Sequence, residues 1–174
     1  MSASCVSCIF VCAKPHLLLN TTEVVAILKI PISVLVVIYK SNRDVLLIER
    51  ADRIGFWQSV TGSLDALDED LALAATREVF EETGIAVAQL PTGALRNLHH
   101  QIEYEIYPEW RFRYAPGVTK NTEHWFALQV PENTQVTLAP REHVAYEWLP
   151  FQEAAKKCFS RSNGEAILKL FSAN

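Results

Sequence analysis

The apolar positions of this chain fall into short blocks whose spacing predicts a sheet assembled around one amphipathic helix. Ile32-Ser33-Val34-Leu35-Val36-Val37-Ile38-Tyr39 is a β-branched run between Pro31 and the turn Ser41-Asn42-Arg43-Asp44, the pattern of a buried strand. Val45 to Arg50 returns as its hairpin partner, and Phe56-Trp57-Gln58-Ser59-Val60 is a third short strand that Gly62 ends. From about Glu69 to Thr83 the period lengthens to three and four. Leu71, Ala72, Ala75 and Val79 make one apolar stripe, Asp68 suits the N-cap, Asp70 the first turn, and Gly84 the C-terminal stop. Ile85 to Leu90, Leu95 to Tyr107, His124 to Val130 and Val144 to Leu149 are aromatic, β-branched or alternating blocks separated by Pro, Gly or Asn, and read as strands. Gln152 to Phe159 and Glu165 to Phe171 read as closing helical segments with Asn163-Gly164 between them. Strands before and after one central helix, with helix again at the end, predict an α/β (α+β) fold in which a mixed sheet lies between helices.

At 174 residues the chain is long enough for one domain with a sizeable core. Sixteen Lys and Arg against 20 Asp and Glu give a net charge of -4, which argues against a nucleic-acid binder with a broad positive surface. A phosphorylated small molecule needs only a few local cations and a metal. Cys5, Cys8 and Cys12 crowd into the first dozen residues and Cys158 stands apart, so no distributed disulfide framework is expected, as suits a reducing cytoplasm. The run Cys5-Val6-Ser7-Cys8-Ile9-Phe10-Val11-Cys12 follows no basic residue, precedes no small-x-small cleavage site and is too short to cross a bilayer. Its Cys-x-x-Cys lacks a second ligand pair. Residues 1 to 28 are therefore expected to be a poorly ordered extension or a start-site artefact, with the domain over 29 to 174 and no membrane partner.

The helix carries the chemistry. Glu78, Glu81 and Glu82 concentrate negative charge at the end of a helix whose dipole is already negative there, and Glu78 and Glu82 form an unfavourable i, i+4 pair. Four residues turn a helix by about 400°, so these two carboxylates leave one face about 40° apart and can converge on an ion. Mg²⁺, which prefers oxygen ligands and bridges carboxylates to phosphates, would turn the repulsion into attraction. The plainer alternative is a solvated acidic helix end screened by Arg77. Thr61 and Gly62, in a tight turn before the helix, favour the metal reading. His99 and His100 are adjacent on a strand, point to opposite faces and cannot share an ion.

Gly62, Glu69, Arg77, Glu78, Val79, Glu81, Glu82, Gly84 and Ile85 resemble the Nudix box, G-x5-E-x7-R-E-U-x-E-E-x-G-U with U aliphatic. One departure stands out: six residues separate Gly62 from Glu69, and Asp68 occupies the strict position of the first glutamate. The extra residue is expected to bulge the loop Ser63 to Asp68, leaving the first acidic partner open between Asp68 and Glu69. The resemblance implies the Nudix α/β/α sandwich and a metal-dependent pyrophosphohydrolase.

A narrower likeness covers most of residues 29 to 166. Lys29 to Tyr39, Phe56 to Ser63, Arg113 to Thr119 and Asn121-Thr122-Glu123 resemble the bacterial dihydroneopterin triphosphate pyrophosphatases of folate biosynthesis. That family removes pyrophosphate from 7,8-dihydroneopterin 3'-triphosphate. The resemblance implies Glu78, Glu82 and Glu142 as ligands of Mg²⁺, or Mn²⁺ in its place, with Arg77 orienting the carboxylates. It further implies substrate contacts at Lys29, Arg50, Thr61, Tyr104, Glu105, Ile106, Tyr107 and Ser160. Glu81 and Glu123 are both candidates for the base that takes a proton from water. Trp57, Tyr104, Tyr107 and Tyr114 are candidates for a flat wall against a pterin or purine, or for plain core. The competing readings are a Nudix enzyme acting on dATP, oxidised nucleotides, dinucleoside polyphosphates or an RNA 5' end, and a non-catalytic nucleotide-binding module. Such modules usually lose box carboxylates, and here all three helix glutamates are present.

Overall fold

The computed structural model describes residues 28–172; the expectation for the N-terminal stretch, with its three cysteines, lies outside the described residues. Eight residues without a charge make β1, Ile32–Tyr39, and all but the first are buried. It forms the middle of a seven-stranded mixed sheet with β2 (Asp44–Arg50), β3 (Trp57–Gln58), β4 (Val60–Ser63), β5 (Leu95–Glu105), β6 (Lys120–Gln129) and β7 (His143–Pro150). Its full-length partner is β6, parallel from Ile32 opposite Thr122 to Tyr39 opposite Gln129, and β4 pairs antiparallel on its other side. The expected β1–β2 hairpin is closed only at Tyr39 and Val45, after which β2 turns away to pair with β7 and β3. A buried strand can alternate on both faces because both are covered. Val34, Val36, Ile38, Leu46 and Ile48 pack towards α1 (Leu71–Thr83). Leu35, Val37, Val45 and Leu47 pack towards α2 (Phe151–Lys157) and α3 (Arg161–Ser172). The expected α/β/α sandwich is the observed architecture.

Several boundaries move, each for a local reason. The third strand is interrupted at Ser59, whose backbone N–H donates to Asn163 Oδ1 at 2.7 Å instead of joining a ladder, and Gly62 lies within β4 instead of ending a strand. The helix is capped by Asp70, not Asp68: Asp70 Oδ1 accepts from the N–H groups of Ala72 and Leu73 at 2.8 and 3.1 Å. Ala74, not Ala72, joins the buried stripe with Ala75 and Val79. Gly84, at φ 69°, is the left-handed C-cap expected of it. Ile85 to Leu90 is no strand. It holds a single 3-10 turn, Val87–Gln89, before Pro91, and Ile85, Val87 and Leu90 pack on the core as separate contacts. Asn163 and Gly164 lie inside α3 instead of dividing two segments. A Cβ at Gly164 would come within 2.8 Å of Ala155 O, so this glycine serves the close approach of α3 to α2.

Candidate active site

The site forms where β4, the C-terminal half of α1 and the start of β7 meet. The core stripe of α1 continues through Ala75 and Val79 into Glu82, so that a carboxylate occupies a core position and is 4% exposed. Thr61 on β4 offers it a backbone N–H at 3.3 Å. Burial raises the pKa of Glu82 above the ordinary carboxylate value, with His143 pulling against the shift and Glu142 adding to it. Glu78, one turn earlier, is raised to about 7, first by burial and then by the charges of Glu82 and Glu81, while its hydrogen bond from Arg77 opposes them. Gly62 leaves room for it, since a Cβ there would overlap the Glu78 carboxylate and displace that side chain.

Arg77 gathers the acidic side chains around it. Its Nη1 lies 2.6 Å from Glu78 Oε1 and 3.2 Å from Glu81 Oε2, and its Nη2 donates to Ser63 O at 3.0 Å. Nε and Nη2 meet the two oxygens of Glu69 at 3.1 and 3.3 Å, and Asp65 adds a contact at 3.1 Å. Glu69, whose other neighbour is the N–H of Asp65 at 2.6 Å, is thus the acidic partner that the extra loop residue left undecided. The insertion is absorbed before it, in the turn where Glu69 N–H donates to Ala66 O.

Glu142 and His143 enter from β7. Ala51 N–H donates to Glu142 O at 2.8 Å, and His143 lies opposite Arg50 just before an unpaired Val144 that bulges β7, so both hang over the end of α1. Among the described residues, Glu82, Glu142 and His143 form a group whose ligand atoms lie within 4.8 Å of one another. His143 Nε2 is 3.3 Å from Glu82 Oε1, close but out of line for a hydrogen bond, and both of its ring nitrogens are buried without a partner. A buried carboxylate, an orphaned imidazole and a further carboxylate suit a divalent cation, which would satisfy all three. Glu78 lines the same cavity, though Arg77 holds its carboxylate outside this closest set. His143 was not anticipated. Its one sequence signal is its place directly after Glu142.

Two cavities adjoin here. The first, about 440 Å³, is lined by Glu78, Glu82, Glu142 and His143 and by the cations Lys29, Arg50, Arg113 and Arg141. The second, about 420 Å³, shares Lys29, Arg50, Gln58, Thr61, Gly62 and Arg113 with it and continues between aromatic walls from Tyr104, Tyr107, Trp110, Tyr114 and Phe159. All eight substrate positions implied by the resemblance, Lys29, Arg50, Thr61, Tyr104, Glu105, Ile106, Tyr107 and Ser160, line this second cavity. Lys29 is fixed by its N–H to Arg113 O at 2.7 Å, and burial followed by the charge of Arg113 lowers its pKa. Arg50 is held by Asp52 at 2.6 and 2.8 Å and lies over the Trp110 ring. Arg113, Arg141 and Trp110 were not anticipated, because residues in the connections between strands acquire these neighbours only on folding; Trp110 and Arg113 lie in the 3-10 helix Pro108–Arg113.

The remaining candidates lie outside the group formed by Glu82, Glu142 and His143. Glu81 is half exposed on the Arg77 side, and Glu123 lies on β6 in the aromatic cavity. Trp57 stacks under Lys157 and packs with the α2 and α3 cluster, as core. His99 sits at a bulge in β5, His100 packs on Trp125, and burial pushes the Cys158 thiol up to about 12.

Residues 29–170 match the family model described as NUDIX domain. The chain is 46% identical over 141 residues to dihydroneopterin triphosphate diphosphatase of Escherichia coli (strain K12), covering 80% of this chain and 91% of that protein. It is 40% identical over 138 residues to the Haemophilus influenzae protein of the same name, covering 79% and 85%. The solved structure of the E. coli dihydroneopterin triphosphate pyrophosphohydrolase superposes with a TM-score of 0.77 at 43% identity, covering 85% of this chain and 99% of that one. With the box residues, the sandwich and these matches in agreement, the chain belongs to the NUDIX domain family.

Proposed function

We propose that this protein is a pyrophosphohydrolase that removes pyrophosphate from 7,8-dihydroneopterin 3'-triphosphate, the compound for which its relatives are named, with Mg²⁺ as its cofactor and Mn²⁺ as a substitute. The observation that carries this reading is the junction of the two cavities: a site for anions and a cation opens directly into an aromatic slot of heterocycle size. Glu82 and Glu142, with Glu78 in the same cavity and His143 beside them, would hold the ion. When bound, it neutralises phosphate oxygens and acidifies a water. Lys29, Arg50, Arg113 and Arg141 bind the remaining phosphate charge, as point charges or by bidentate guanidinium contacts. Arg77 sets the orientation of Glu78 through the bond at 2.6 Å, which fixes where that carboxylate can receive a proton. The aromatic side chains hold the heterocycle, excluding water from the slot.

Product identification tests the reading. The protein is incubated with dihydroneopterin triphosphate, dATP and an oxidised purine nucleotide in parallel, with and without Mg²⁺. Preferential release of pyrophosphate from the pterin, lost on chelation, is expected. Preference for a nucleotide would overturn the substrate assignment, and binding without turnover in any arm would overturn the enzyme assignment.

A further inference from the structure

The aromatic cavity contains a buried carboxylate that neither the metal cluster nor the phosphate-binding cations employ. Glu123 lies on β6 and is 3% exposed, yet it lines the cavity. It meets no Lys or Arg side chain within ion-pair distance among the described residues. Its one indole partner is Trp125, whose Nε1–H donates to Oε1 at 3.0 Å. Burial raises its pKa above the ordinary value, with the bond from Trp125 and the neighbouring Ser162 hydroxyl opposing the shift. Asn121 lies two residues earlier on the same strand face, about 7 Å away along the strand. Its Nδ2 donates to Ser33 Oγ at 2.7 Å and to Tyr104 Oη at 3.2 Å, which orients the amide so that Oδ1 is the free group, and that oxygen is buried with no partner. Asn121 Oδ1 thus has no donor, and the Glu123 carboxylate has only neutral ones, the Trp125 indole and the Ser162 hydroxyl, a costly arrangement for a buried charge unless a ligand brings further donors.

We infer that Glu123, assisted by Asn121, is the specificity-determining group of this slot and pairs with the adjacent N–H donors of a 2-amino-4-oxo heterocycle edge. This inference rests on the proposed pterin triphosphate reading and names what selects the ring. In a pterin the 2-amino group and N3–H stand side by side as donors, so one carboxylate can accept from both. Guanine offers the same pair. Adenine sets the lone pair of N1 beside its amino group, and a carboxylate would meet that nitrogen lone pair to lone pair. Replacing the 2-amino group by an oxo group, as in a lumazine, likewise removes a donor and adds an acceptor. A site built around a buried acceptor rejects such analogues more strongly than an apolar slot could, because the mismatch leaves both sides unpaired.

The test uses the full chain and ligands that lack phosphates, so that the metal site takes no part. Affinities are measured by fluorescence for neopterin, its 2-oxo lumazine counterpart, guanosine and adenosine, on the wild type, Glu123→Gln and Asn121→Leu. The wild type should bind neopterin roughly ten- to a hundredfold more tightly than the lumazine and guanosine more tightly than adenosine, the scale of a bidentate base contact. Glu123→Gln keeps an acceptor for Trp125 but should lose most of both preferences, and Asn121→Leu a smaller part. A wild type that does not discriminate neopterin from the lumazine overturns the inference without needing either variant to fold. Retained discrimination in folded Glu123→Gln also overturns it. Failure of the substrate reading has a different signature: pyrophosphate release from a nucleotide in preference to the pterin, whatever the ring affinities.

Discussion

At Gly62 a methyl group would overlap the Glu78 carboxylate, so the glycine of the box is there for the side chain that faces it. Gly62→Ala should push Glu78 aside by about an ångström and lower kcat/KM by about a hundredfold. Steady-state kinetics would check this, and unchanged kinetics would mean that Glu78 is not position-critical. Glu82→Gln keeps volume but removes charge. Its turnover should fall below detection and its affinity for Mn²⁺, read by paramagnetic titration, should drop, while far-UV dichroism stays that of the wild type. Near-normal activity would refute the ligand assignment. Cys158 supplies a pH prediction of a different kind. Burial raises its thiol from the ordinary value of 9.0 to about 12, so in the folded protein it is protonated at pH 8. Alkylation followed by peptide mass measurement should leave it unlabelled when folded and labelled in urea. By linkage, a raised thiol pKa contributes nothing below about 9 and erodes stability as pH climbs from there towards 12.

Among the elements, α1 is the clearest case of a helix read from its pattern and misread at its edge. Its existence, its glutamates and its Gly84 stop follow from periodicity, but the N-cap expected at Asp68 falls at Asp70, which the sequence pattern places in the first turn. Asp70→Ala should cost about 1 kcal/mol, and thermal unfolding should shift by about 2–4 °C, with kcat/KM unchanged. A loss of activity instead would assign Asp70 to the site. Ile85 to Leu90 misleads because its apolar residues serve the core without a strand partner, and a strand is defined by its partner. Asn163-Gly164 misleads for the opposite reason. The dipeptide is a turn signal in isolation, yet Asn163 accepts the N–H of Ser59 across 104 residues and Gly164 lets α2 approach. β2 shows the same dependence on distant chain, since its main partner β7 begins almost a hundred residues later.

Across the whole molecule, the site draws on Lys29, β2, β4, α1, the segment after β5, β6 and β7. Lys29 is tied into place by the carbonyl of Arg113. We therefore expect that a chain starting at Leu28 retains the thermal midpoint and the turnover of the full chain, which differential scanning calorimetry and a phosphate-release assay would check. A large loss of stability would place residues 1–27 in the folded unit and refute the division at residue 28.

The amino-acid string alone carried the class of fold, the helix with its three glutamates, and the box with its Arg77, because periodicity and short-range spacing are local properties that survive in it. It also held the eight positions that share the aromatic cavity, through their likeness to a known pattern. Folding settled that Glu69 takes the place contested by Asp68, that His143 stands over Glu82, and that Glu81 faces solvent while Glu123 faces the slot. These depend on which atoms meet across distant segments and on how far water is excluded from them. Both are fixed by packing, and packing has no period in the sequence.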